Sequence, residues 1–217
     1  MRVKICGITT LEQGLAIINL GADTLGFICV TQSPRYVNNE IIKNIILQLP
    51  KEISKIGVFV NENIENIIKT VQETGLTGIQ LHGEENPAIC AQLREFLPDI
   101  EVIKAFRYQN SESLALLESY IPVIDTILLD AYEEGIYGGT GKTFNWLHLA
   151  DFRPSRPWLL AGGINPDNVL SALENLKCDG IDVSSGVEIS AGNKDLEKVK
   201  QLFQQLNSVK NELYSSN

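Results

Sequence analysis

The chain has 217 residues, 44% of them hydrophobic and 21% charged, with a formal net charge of −9. That length and apolar fraction suit one domain with a full core, no run approaches the roughly 18 apolar residues of a membrane-crossing helix, and the acidic balance argues against nucleic acid or an acidic membrane as partner. The N-terminus carries no apolar leader and the four cysteines (Cys6, Cys29, Cys90, Cys178) form no CxxC pair, so a cytoplasmic protein with reduced thiols is expected.

The first apolar β-rich run is Val3–Cys6, followed by Thr9-Thr10-Leu11-Glu12, which fits a capping box. A second run covers Thr24–Val30. Ile41, Ile42, Ile45, Ile46 and Leu49 then form an apolar helical face stopped by Pro50. Runs at Ile56–Val60 and Gly78–His82 bracket Ile64, Ile67, Ile68 and Val71, whose i, i+3, i+4, i+7 spacing predicts a helix ended by Gly75. Asn86-Pro87 reads as an N-cap and first-turn proline ahead of the fifth run, Val102–Phe106. Thr126–Asp130 and Trp158–Ala161 follow. Asn165-Pro166 repeats the capping signal before the eighth run, Ile181–Ser184. Leu196, Val199, Leu202, Phe203 and Leu206 make a last amphipathic face, and the Ser-Ser-Asn tail is expected to fray.

Eight β-runs separated by helix-length spacers point to an α/β protein built as a single (β/α)8 TIM barrel over residues 1–217. The alternative is a doubly wound open sheet. That fold would usually carry a glycine fingerprint after its first strand, and here Cys6-Gly7 leads into Ile8-Thr9 with no GxGxxG.

Chemistry in such barrels sits at the C-terminal ends of the strands. Residues i and i+2 share a strand face, which aligns Lys4 with Cys6, Gln80 with His82, Asp182 with Ser184, and Asp130 with Leu128. Polar groups at alternate positions of apolar strands fit the open top of a barrel lumen. Strands 1 and 8 are neighbours in a closed barrel, so Lys4 and Asp182 are expected to pair there, because an isolated charge would be costly. The glycine segments Ala161-Gly162-Gly163-Ile164 and Ser184-Ser185-Gly186-Val187 follow strands 7 and 8, the usual phosphate site of this barrel class. The other interpretation is two ordinary glycine turns.

Gly135–Thr143 looks like a P-loop, but the spacing between Gly135 and Gly141 is one residue too long for Walker A. It is either a lid over the barrel mouth or a plain connection. The two histidines, His82 and His148, with scattered carboxylates make no metal-ligand set, so no metal is expected. The residues suggest acid–base chemistry on a small phosphorylated sugar. Cys6 would be the base, if Lys4 and the start of the first helix lower its pKa. Asp130 would be the acid, if burial or nearby anions raise its pKa. A buried structural thiol is the alternative role for Cys6.

Seven motifs carry a family resemblance. They are Lys4-Ile5-Cys6-Gly7-Ile8-Thr9, Ser33-Pro34-Arg35-Tyr36-Val37, Gln80-Leu81-His82-Gly83, Leu128-Leu129-Asp130, Gly138-Gly139-Thr140-Gly141, Ala161–Pro166 and Asp182–Glu188. Together they resemble the phosphoribosylanthranilate isomerase family of tryptophan biosynthesis, in order and over nearly the whole chain. The resemblance implies a cofactor-free Amadori rearrangement. It makes Asp130 the acid on the furanose ring oxygen, Cys6 the base at C2, and Arg35 the partner of the anthranilate carboxylate, with His82 and Asp182 lining the pocket. One departure is Phe144-Asn145-Trp146, where the family commonly has Phe-Asp-Trp. Rival classes are another sugar-phosphate isomerase or epimerase of the phosphate-binding barrels, and a non-catalytic phosphate-ligand binding protein. The oligomeric state stays open between monomer and homodimer.

Overall fold

The computed structural model describes residues 1–108, 116–130, 149–174 and 176–215, with side chains to residue 208. Eight parallel strands close into a barrel in chain order: β1 (Arg2–Cys6), β2 (Thr24–Ile28), β3 (Ser54–Phe59), β4 (Gly78–Leu81), β5 (Glu101–Arg107), β6 (Thr126–Asp130), β7 (Trp158–Ala161) and β8 (Gly180–Val183). β8 pairs back onto β1, with Lys4 opposite Asp182. This closure excludes the open sheet. The expected α/β, (β/α)8 architecture is the one found.

The helices among the described residues are α1 (Leu11–Leu20), α2 (Asn39–Ile46), α3 (Ile64–Thr74), α4 (Pro87–Phe96), α5 (Val169–Glu174) and α6 (Leu196–Ser215). Strand side chains alternate between two apolar layers. One layer, including Leu25, Phe27, Ile79, Leu129 and Leu160, packs against the helices. The other, Ile56, Ile103, Ala105, Leu128, Leu159 and Ala161, fills the lumen. Burial on both faces explains why the strands read as near-continuous apolar runs.

Local signals set the helix ends. Asn38, Asn63 and Asn86 cap α2, α3 and α4 through side-chain oxygens that accept from Ile41, Asn66 and Ile89 N–H groups. Gly75 ends α3 in the left-handed region (φ 80°), as its position predicted. The cap of α1 is Thr10, which accepts from Gln13 N, one residue later than expected. Thr9 instead donates to the Gly192 carbonyl at 2.7 Å. Asn165 accepts from Asp167 and Asn168 N–H groups, yet regular helix begins only at Val169.

Several boundaries shift. β2 ends at Ile28, before Cys29 and Val30, and β4 and β8 end one residue before His82 and Ser184. Those two side chains therefore leave from the strand mouths. Ile41 and Leu196, expected on buried faces, are 42% and 40% exposed, because the buried stripes run through Ile42 and Ile45 in α2 and through Val199 and Leu202 in α6. Ser215 is still helical. Gly135–Thr143, Phe144-Asn145-Trp146 and His148 lie outside the described residues.

A short 3-10 turn (Ser185–Val187) follows β8 and leads into a hairpin that the strand pattern did not reveal: β9 (Glu188–Ser190) paired antiparallel with β10 (Asn193–Lys194).

Candidate active site

Every residue expected at the site lines one cavity of about 270 Å³ at the C-terminal mouth of the barrel. Cys6 ends β1 and is buried. Gly26 on β2 makes its room, since a Cβ there would stand 2.6 Å from Cys6 Sγ and 3.1 Å from Lys4 Nζ. Lys4 is fully buried and donates to Asp182 Oδ1 at 3.0 Å, the pairing that adjacency of β1 and β8 predicted.

Burial would pull the Lys4 ammonium down, but Asp182 and Cys6 outweigh it and its pKa is raised, so it stays charged. The resting state of Cys6, which the sequence left open, is set by burial. Burial pushes the thiol up, Lys4 and Lys194 pull it down, Asp182 pushes it further up, and burial prevails. The ligand-free site therefore holds a neutral thiol, because desolvation penalises the thiolate more than the two cations favour it.

Across the mouth, Asp130 ends β6. His82 Nε2 stands 3.4 Å from its Oδ2, and His82 Nδ1 lies 2.8 Å from Gln80 Nε2. Beside them the two glycine loops meet. Gly162 and Gly163 have φ of 91° and 67°, and a Cβ on Gly186 would fall 1.9 Å from the Ile164 carbonyl oxygen. Only glycine allows that approach, so the loops after β7 and β8 form one continuous wall with Ser185. Ser184 donates its hydroxyl to the Cys6 carbonyl at 3.1 Å, tying β8 to the end of β1.

Arg35 arrives on a turn after β2, with its own N–H bonded to Ser33 Oγ at 3.1 Å. Its guanidinium is already engaged. Nε and Nη2 donate to Glu188 at 2.9 and 2.6 Å. Burial pushes Glu188 up, but Arg35 and Lys194 overcome it and hold the carboxyl below its ordinary range. Lys194, itself buried, bonds Glu188 at 2.7 Å. Among the described residues this leaves the Nη1–Nη2 edge of Arg35 for a second carboxylate. Gly7 (φ 84°) lets the arginine pass, since a Cβ there would lie 2.9 Å from Arg35 Cδ.

Glu188 and Lys194 were not among the expected site residues. Their signal is faint: two opposite charges six residues apart around Gly192, whose φ of 79° turns the β9–β10 hairpin. Among the described residues no three His, Cys, Asp or Glu side chains converge as a metal site would need, and no helix is long and apolar enough to cross a membrane.

The fold and this mouth define the class: a phosphate-binding (β/α)8-barrel enzyme. Comparison with known proteins narrows it. The family described as N-(5'phosphoribosyl)anthranilate (PRA) isomerase matches residues 3–205. The N-(5'-phosphoribosyl)anthranilate isomerase of Gloeothece citriformis is 58% identical over 206 residues, covering 95% of this chain and 94% of that protein. The crystal structure of phosphoribosyl anthranilate isomerase from Thermotoga maritima superposes with a TM-score of 0.87 at 39% identity, covering 96% and 99% of the two chains. A phosphoribosyl anthranilate isomerase crystallised with reduced 1-(o-carboxyphenylamino)-1-deoxyribulose 5-phosphate gives 0.85 at 36% identity, covering 96% and 99%. This chain belongs to the N-(5'-phosphoribosyl)anthranilate isomerase family.

Proposed function

We propose that Cys6 and Asp130 are the base and the acid of the Amadori rearrangement that this isomerase catalyses in tryptophan biosynthesis. In that reaction N-(5-phosphoribosyl)anthranilate becomes 1-(2-carboxyphenylamino)-1-deoxyribulose 5-phosphate. Asp130 protonates the furanose ring oxygen, the bond from that oxygen to C1 breaks, and the anilino nitrogen becomes a protonated Schiff base. Cys6 then takes the C2 proton, and the resulting enolamine tautomerises to the ketone. The observation that carries this assignment is a thiol from β1 and a carboxyl from β6 facing one cavity of about 270 Å³.

The other groups fall into place around that pair. The glycine wall of Gly162, Gly163, Ser185 and Gly186 takes the phosphate, each charge-assisted hydrogen bond contributing about 1.5–3 kcal/mol. Arg35, braced by Glu188, takes the anthranilate carboxylate on its second edge. Asp182 and Ser184 act indirectly, the first by keeping Lys4 charged beside Cys6 and the second by tying β8 to β1. Because the resting thiol is neutral, Cys6 must pass its proton to solvent in the open cavity before or as the Schiff base forms, and the cationic Schiff base favours that loss.

The test is turnover of Cys6→Ala and Asp130→Asn, followed by decay of the substrate's anthranilate fluorescence. Both variants are expected to keep the wild-type circular dichroism and to lose about 10²–10⁴-fold in kcat. Wild-type rates in both would remove these assignments.

A further inference from the structure

Gln80 sits on β4 within the lumen, 1% exposed, one strand position below His82 on the same face. Its Nε2 lies 2.8 Å from His82 Nδ1, while its Oε1 is buried with no hydrogen-bond partner among the described residues. Turning the amide over would put Oε1 on His82 and strand the NH₂ group instead. A buried donor without an acceptor is rarer in folded proteins than an under-used carbonyl oxygen. The amide therefore donates, Nδ1 accepts, and the proton of a neutral His82 resides on Nε2. That N–H is the atom facing Asp130 Oδ2 at 3.4 Å.

We propose that Gln80, acting through the tautomer of His82, places the proton of Asp130 on Oδ1. With Nε2–H facing Oδ2 at 3.4 Å, the carboxylic proton is left to Oδ1. When Asp130 gives that proton to the ring oxygen, the same N–H stabilises the carboxylate that remains. In the opposite tautomer the Nε2 lone pair would draw the acid's proton onto Oδ2, away from the substrate. Gln80 and His82 are thus positioning residues. The inference rests on Asp130 as the acid, and it concerns which oxygen delivers the proton.

The test is ¹⁵N NMR of the imidazoles in the ligand-free enzyme at alkaline pH. The two histidines of the chain are told apart with a His82→Asn variant. The wild type is expected to show His82 almost wholly as the Nε2–H tautomer. In Gln80→Glu the carboxylate can only accept, so the proton moves to Nδ1, and kcat falls at least about tenfold with KM within about twofold. Gln80→Leu removes the lock and mixes the tautomers. A wild-type His82 carrying its proton on Nδ1 overturns the proposal whatever the variants do. Unchanged kcat in Gln80→Glu with the proton on Nδ1 overturns it as well. Failure of the acid assignment itself is separate: Asp130→Asn would then turn over normally while the tautomer stayed Nε2–H.

Discussion

At the N-terminal end of the lumen, Arg2 reaches across from β1 to β5 and donates to both oxygens of Glu101 at 2.5 and 2.8 Å. Its Nε donates to Thr24 Oγ1, and Thr126 Oγ1 donates to Glu101. At the C-terminal end, on the same faces of the same strands, Cys6 replaces Arg2 and Asp130 replaces Thr126. There the groups are only partly matched: a neutral thiol, a carboxyl touched at one oxygen, an arginine with one edge occupied, and a glycine wall around a cavity. Both ends are polar interruptions of an apolar barrel. Where the charges satisfy one another they make a plug that holds the barrel together. Where they are left short of partners, with space beside them, they wait for a ligand.

This contrast breaks if the two ends respond alike to substitution. The largest effect is expected at the top: Asp130→Asn should cost about 10²–10⁴-fold in kcat and leave the denaturation midpoint nearly unchanged. Arg2→Ala should do the reverse. It is expected to lower unfolding stability in urea by about 1–3 kcal/mol, a figure discounted because both partners are about a fifth exposed, with kcat of the folded enzyme within about twofold. Arg35→Lys sharpens the comparison within the top, since an ammonium cannot grip Glu188 and a substrate carboxylate by two edges at once. KM should rise about tenfold with kcat little changed. The finest effect is the protonation of Cys6. Burial raises its pKa, so the reactive thiolate is scarce below the ordinary thiol range and grows as pH rises through and beyond it. Alkylation of Cys6 by iodoacetamide, followed by peptide mass, should therefore keep accelerating through pH ~9. A plateau near neutrality would mean a preformed thiolate.

Much of this arrangement was legible in the chain. Alternating β-runs and helical faces gave the barrel, and two-residue strand parity put Lys4 with Cys6 and Gln80 with His82. Closure then made neighbours of Lys4 and Asp182, 178 residues apart, and the structure pairs them at 3.0 Å. What was not legible has a common cause. The Arg35–Glu188 contact joins a turn after β2 to a hairpin 153 residues later, and neither segment carries a periodic pattern. Ile41 and Leu196 are apolar residues near helix starts that the buried stripe leaves out, since Ile42 and Ile45 carry it in α2 and Val199 and Leu202 in α6.

By itself, then, the sequence determined the order and type of the elements and the strand faces on which polar groups sit, while its motifs carried the family resemblance. The elements and faces depend on local periodicity, which hydrophobic burial enforces one element at a time. Only the tertiary structure decided the protonation of Cys6, the partner already holding Arg35, and the line from Gln80 through His82 to Asp130. Each depends on how deeply a group is buried and what stands within a few ångströms of it. Those quantities are set when the barrel closes and brings distant segments together around a shared, poorly solvated space.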